Sequence, residues 1–321
     1  MYMRYGITAG DVFWSSWRPV VIAGLWASLI VHTHSNLGLK FVVLPALPIS
    51  TIGIAISLYL GFKTSSAYNR WWEAREIWGG IVNNSRTWSN QACKLLTLTK
   101  NESALTSETR ILIRRHLAWV NALAYQLRKT SRLTASTQRH IFDYRNTKTD
   151  NLTTNSPGCY ECYLSEEEVQ DLRDVANPAT HIIHKQGAHL RELLKQGACE
   201  RIKNTPFPRQ ITYFGRIFSW IFIVLLPFAL YDSFEDVLKE HFRTLDISDL
   251  YLLPMVLFTM TISWLFYMLQ KVGESCEDPF ESGPTDVPIS ALTRVIEIDL
   301  LQILGEENIP EPIQPRAGVL Y

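Results

Sequence analysis

The chain has 321 residues, 31 Lys and Arg against 31 Asp and Glu, and therefore no formal net charge; its apolar residues, 47% of the total, are gathered in runs with the charges between them. No long basic block offers a surface for nucleic acid, and of the five scattered cysteines only Cys159 and Cys162 stand close, too few for a four-ligand structural zinc centre. That pattern describes an integral membrane protein better than it describes two soluble domains.

The opening residues, MYMRYGITAGDVF, lack the basic start, compact apolar run and small-residue cleavage site of a secretory leader. Pro19 to Leu39 then runs without Asp, Glu, Lys or Arg, long enough to cross a hydrocarbon core of roughly 30 Å, which takes about 20 helical residues. Near its far end, His32 and His34 read either as interfacial histidines or as two ligands of a membrane metal site that lacks a nearby third.

A second uncharged run, Phe41 to Phe62, breaks into AYNRWWEAREIWG. Within it Ile54, Leu58 and Phe62 recur every four residues, beside Gly53, Ser57 and Gly61. On a helix these make adjacent stripes, one bulky and apolar, one nearly bare. The bare stripe suits close helix approach in lipid. Periodicity leaves open whether the bulky stripe faces lipid, a neighbouring span or a conduit. Tyr68, Trp71, Trp72 and Trp78 read as an aromatic belt at the membrane exit, followed by an i,i+3 pair of Arg70 with Glu73.

The region from Trp72 to Arg209 is too long for a loop and reads as helical. Ile113, Leu117, Val120, Ala124 and Leu127 keep a helical period between Ser107, a candidate N-cap, and Arg128. Asn146 to Gly158 is dense in turn formers. Ser165 with Glu168 makes a capping box, and Asn177 before Pro178 starts the next helix. Cys159, Cys162, His181 and His184 form a weak metal set in this stretch.

Ile217 to Tyr231 gives a shorter third span, preceded by Arg216, and Leu250 to Gln270 gives a fourth. The acidic, Gly/Pro-interrupted segment that follows contains Glu277, Asp278, Glu281 and Asp286, without the spacing of a regular calcium loop. Leu292, Ile296, Leu300 and Ile303 then share one side of a last helix. No strand pattern competes, so the class is all-α with four transmembrane helices. The division is 1–71 with the first two spans, 72–209 as a cytosolic helical region, 210–271 with the last two, and 272–321 as a cytosolic tail. Lys and Arg cluster before the first span, after the second, before the third and after the fourth, which puts both termini in the cytoplasm. The expected location is the cell membrane, the inner one in a Gram-negative bacterium.

Ionisable residues are scarce within the spans, which disfavours pumps and coupled transporters. An apolar constriction in a passive channel needs none, although one stripe from one helix cannot enclose a path and several copies about an axis could.

The segments LPALPISTIGIAISLYLGFKTSSAYNRWWEAREIWGGIVNNSR and CEDPFESGPTDVPISALTRVIE resemble the second transmembrane helix and the post-fourth-helix segment of bestrophin ion channels in their short prokaryotic form. The resemblance covers nearly the whole chain. It implies a homopentamer whose axial neck is lined by Ile54, Leu58 and Phe62, with a second, cytosolic constriction at Ile182. It implies chloride and other small anions as permeant ions, with membrane lipids and further copies of the chain as partners and no nucleic acid; some prokaryotic members favour cations, and the neutral neck does not set the sign. Calcium-activated members clasp the ion beside the acidic segment. Here Asp278 and Asp286 stand at such positions as weak calcium candidates, but Gly283 and Pro284 replace a run of acids, which puts calcium activation in doubt, and no other cofactor is expected. Outside this reading stand a membrane-embedded metalloenzyme built on the histidines and cysteines above, and a non-conducting sensor.

Overall fold

The computed structural model describes residues 9–37, 44–100, 107–128, 160–172, 175, 177–185, 190–241, 253–281, 283, 285–315 and 318–320. Its regular elements are helical: α1 (Ala9–Leu37), α2 (Ala46–Lys100), α3 (Ser107–Arg128), α4 (Glu166–Leu172), α5 (Pro178–Lys185), α6 (Leu190–Asn204), α7 (Arg209–His241), α8 (Leu253–Ser275) and α9 (Ile289–Leu304), with a short 3-10 turn at Tyr160–Tyr163. The stretch 146–158 and Cys159 lie outside the described residues. The helix does not stop at RWWEAR, because no proline follows Pro48 of its first turn and no glycine there is forced to a positive φ. Two compact units emerge.

The first unit comprises 6–68 and 207–277 and contains α1, the first part of α2, α7 and α8. Ile49, Ile56 and Leu60 of α2 pack with Phe222, Leu226 and Ala229 of α7. Ala27 and Val31 of α1 pack with Tyr231 and Met255. Gly53 permits the approach of α2 to α7, since a Cβ there would lie 2.8 Å from the Phe222 ring. Among the described residues three helices are long and apolar enough to cross a membrane: Ala46–Lys94, Arg209–Glu235 and Leu253–Ser275. α1 is not one of them; its 29 residues include Asp11 and Arg18 as well as the uncharged stretch.

The second unit comprises 1–5, 69–206 and 278–321. Its core joins Trp78 and Ile81 of α2, Ile113, Leu117, Trp119 and Leu123 of α3, Ile182 and Ile183 of α5, and Ile296 and Leu300 of α9. The expected period of α3 is realised, with Ile113, Leu117, Val120, Ala124 and Leu127 all buried. Trp78 is fully enclosed and cannot belong to a lipid-facing belt; truncating a buried aromatic of this size costs about 3–5 kcal/mol. Three helix ends follow their local sequence. Glu168 accepts from the Ser165 backbone N–H at 3.1 Å while Ser165 Oγ accepts from the Glu168 N–H at 3.4 Å, a reciprocal box opening α4. Asn177 Oδ1 accepts from the Thr180 N–H at 3.0 Å and caps α5. At the end of α9, Gly305 takes φ 68°, and its N–H and that of Glu306 close on the Gln302 and Leu301 carbonyls, a left-handed cap that a side chain would strain.

Candidate functional site

The α2 segment in the first unit has two opposite faces. Ile49, Gly53, Ile56, Leu60 and Lys63 are buried, at spacings of four and three. Each residue turns the helix by about 100°, so Leu58 stands roughly 160° around the axis from Ile56 and from Leu60. Accordingly Ile54, Leu58 and Phe62 are 65%, 60% and 74% exposed. Thr51 and Ser65, also exposed, continue the same side beyond each end of the row. The bare stripe lies between these faces and is divided: Gly53 packs on Phe222, whereas a Cβ on Gly61 would meet nothing within 4 Å. Ser57 turns its hydroxyl back to the Gly53 carbonyl at 2.8 Å.

Directly after Phe62, Lys63 points to the packed face. Its Nζ lies 3.1 Å from Glu277 Oε1, with both side chains nearly sealed, and Thr212 Oγ1 donates to the same carboxylate oxygen at 2.7 Å. Burial raises the Glu277 carboxyl above the usual range, while Lys63 and the Thr212 hydroxyl pull against it. A basic residue closing an apolar run signals a helix end in sequence; its partner, more than two hundred residues away, does not show there.

The other sequence candidates are dispersed. Ile182 is 3% exposed and packs in the second unit, where Arg115, Leu164, Glu168 and Leu172 surround a small cavity beside it. Glu281 pairs with Lys203. Asp286 is enclosed and accepts the Gly283 N–H at 2.7 Å, and Asp278 is half-buried. Among the described residues no group of three His, Cys, Asp or Glu is placed to hold a metal. His32 is exposed, and His34 lies against the Tyr231 ring at 4.2 Å between centroids. Instead of pairing together, Arg70 donates to the Ile202 carbonyl and Glu73 accepts from Arg201.

Sequence reasoning missed a polar chain in the second unit, buried at Trp119 and Gln196. Trp119 Nε1 donates to Gln196 Oε1 at 2.9 Å; Gln196 Nε2 donates to Thr180 Oγ1 at 2.6 Å and to Glu200 Oε1 at 2.8 Å. Glu200 Oε1 also accepts from Asn177 Nδ2 at 2.9 Å. The capping residue of α5 is thus tied to α3 and α6. Only Asn177 gave a sequence signal, because the other partners are scattered polar residues without periodicity.

A family profile described as Bacterial/Fungal Bestrophin protein matches residues 3–302. The chain belongs to the bestrophin family. Among bestrophin relatives, YneE of Escherichia coli, named a voltage-dependent anion channel-forming protein, is 30% identical over 287 residues, covering 88% of this chain and 83% of that one. A Ralstonia nicotianae protein with the same descriptive name is 25% identical, covering 91% and 88%. The crystal structure of a bacterial bestrophin homologue from Klebsiella pneumoniae superposes with a TM-score of 0.66 at 25% identity, covering 91% of this chain and 99% of the other. Bestrophins are membrane ion channels and not enzymes, so the metalloenzyme reading of the histidines and cysteines falls.

Proposed function

We propose that the chain is a passive channel conducting chloride and other small anions along the axis of a homopentamer. The observation that carries this reading is the row Ile54, Leu58 and Phe62, three large apolar side chains exposed on the face of α2 opposite its packed one. Copies arranged about an axis would bring the row onto itself and enclose a neck that a single helix cannot. Such a ring resists wetting and closes a pore without any charge. The neutral row does not select a sign; the anion preference is carried over from the names of the Escherichia coli and Ralstonia relatives.

In this reading α1 is the fourth span. It exposes Val21, Ile22, Leu25 and Leu29, an apolar strip that suits lipid. The distribution of Lys and Arg supports a reading with both termini in the cytoplasm, and a Gram-negative cell would carry the channel in its inner membrane. A second constriction on α5 would require either release of Ile182 from its core packing or replacement by Thr180 or His184, the exposed ones among the described side chains of that helix.

The test is a bilayer recording of the purified protein under a potassium chloride gradient. Current reversing near the chloride equilibrium potential is expected. Reversal near the potassium potential would make it a cation channel, and absence of any current would leave a non-conducting membrane protein.

A further inference from the structure

The first unit carries a cation that no described residue pairs with directly. Lys271, on the last turns of α8, is 6% exposed. Its Nζ lies 5.1 Å from the centroid of the Tyr267 ring, and among the described residues it makes no hydrogen bond or ion pair. The charges that act on it are Glu274, which attracts, and Arg216, which repels. Glu274 is already engaged: its Oε1 accepts from Arg216 at 2.8 Å and from Gln270 at 2.8 Å. Glu277 is engaged with Lys63. These five interacting groups, Lys63, Arg216, Lys271, Glu274 and Glu277, therefore leave one positive charge in excess.

A buried ammonium without a counter-ion is unfavourable, and a cation over a ring face compensates only in part. The Arg216 side chain that acts on it is half exposed. Leu269 and Val272 on α8 are exposed as well, which gives an acyl chain somewhere to lie. Basic side chains near the end of a span attract the headgroups of anionic lipids.

We propose that Lys271, with Arg216, binds the phosphate of an acidic phospholipid at the end of the first unit where α7 begins and α8 ends. The assignment rests on the membrane placement of α7 and α8 given above. It is separable from conduction because its readout is binding.

The experiment compares the melting temperature of the purified full chain in mild detergent with added phosphatidylglycerol, phosphatidylcholine or inorganic phosphate. Phosphatidylglycerol should raise the Tm of the wild type above the level reached with phosphatidylcholine. Lys271→Gln should lose most of that rise, and Lys271→Arg should keep it. A full rise produced by inorganic phosphate alone would overturn the lipid assignment in favour of a free-anion site. An undiminished rise in Lys271→Gln, or none in the wild type, would overturn the site altogether; the latter is the result expected if a carboxylate of a neighbouring copy holds Lys271. Should Lys271→Gln fail to fold, native mass spectrometry of the wild type decides, with retained phosphatidylglycerol expected and its absence contradicting the proposal.

Discussion

At the scale of single residues, the charges around the acidic segment show why residue type alone misleads. Glu277, Glu281 and Asp286 look like one cluster in sequence, yet Glu277 takes Lys63, Glu281 takes Lys203, and Asp286 closes a turn on Gly283. Removing one member of a sealed ion pair leaves the other charge buried, which costs about 3–5 kcal/mol. Lys63→Met is therefore expected to lower the Tm sharply, and adding Glu277→Met should restore much of the loss; equal damage in the single and double variants would contradict the pairing. Asp286 behaves differently, because burial lifts its carboxyl from 3.8 to about 7. The folded state then holds this proton more tightly than the unfolded one, so the stabilisation is present below pH 3.8 and lost as pH rises through about 7. Asp286→Asn should flatten the fall of Tm across that interval. An unchanged pH profile would show that the buried carboxyl is not its source.

At the scale of elements, the short-range signals of helix starts and helix period were legible, whereas the i,i+3 pair of Arg70 with Glu73 gave way to the more distant partners Ile202 and Arg201. The box at Ser165 and Glu168, the cap at Asn177 and the period of α3 all follow from residues within one or two turns. What was not legible depends on distant partners. Trp78 belongs to a core that it shares with residues of α3, α5 and α9, and Gly53 differs from Gly61 only because Phe222 faces one of them. The cap at Asn177 is also held from below by Glu200. Asn177→Ala should cost about 0.5–2 kcal/mol through the cap, with Glu200→Gln compounding less than additively if the two act as one network. Strict additivity of their melting shifts would show that the cap and the network are independent.

At the scale of the whole molecule, the class and family were legible because apolar runs, the RWWEAR boundary and the Asp-Pro-Phe segment are continuous in sequence. Of the four expected spans, three coincide with described helices apolar enough to cross, and α1, which joins its uncharged stretch to Asp11 and Arg18, is not among them. The position of the neck is a question about several copies, which no single chain answers; the exposed face of α2 is what one chain contributes to it. Leu58 and Phe62 stand away from their own chain's packing, so truncating them is expected to leave the Tm almost unchanged while altering conduction. The decisive measurement is single-channel current through the reconstituted wild type, Leu58→Ala and Phe62→Ala under one salt gradient. An apolar neck predicts larger current or longer openings in both variants. Conductance and gating indistinguishable from wild type in both would contradict it.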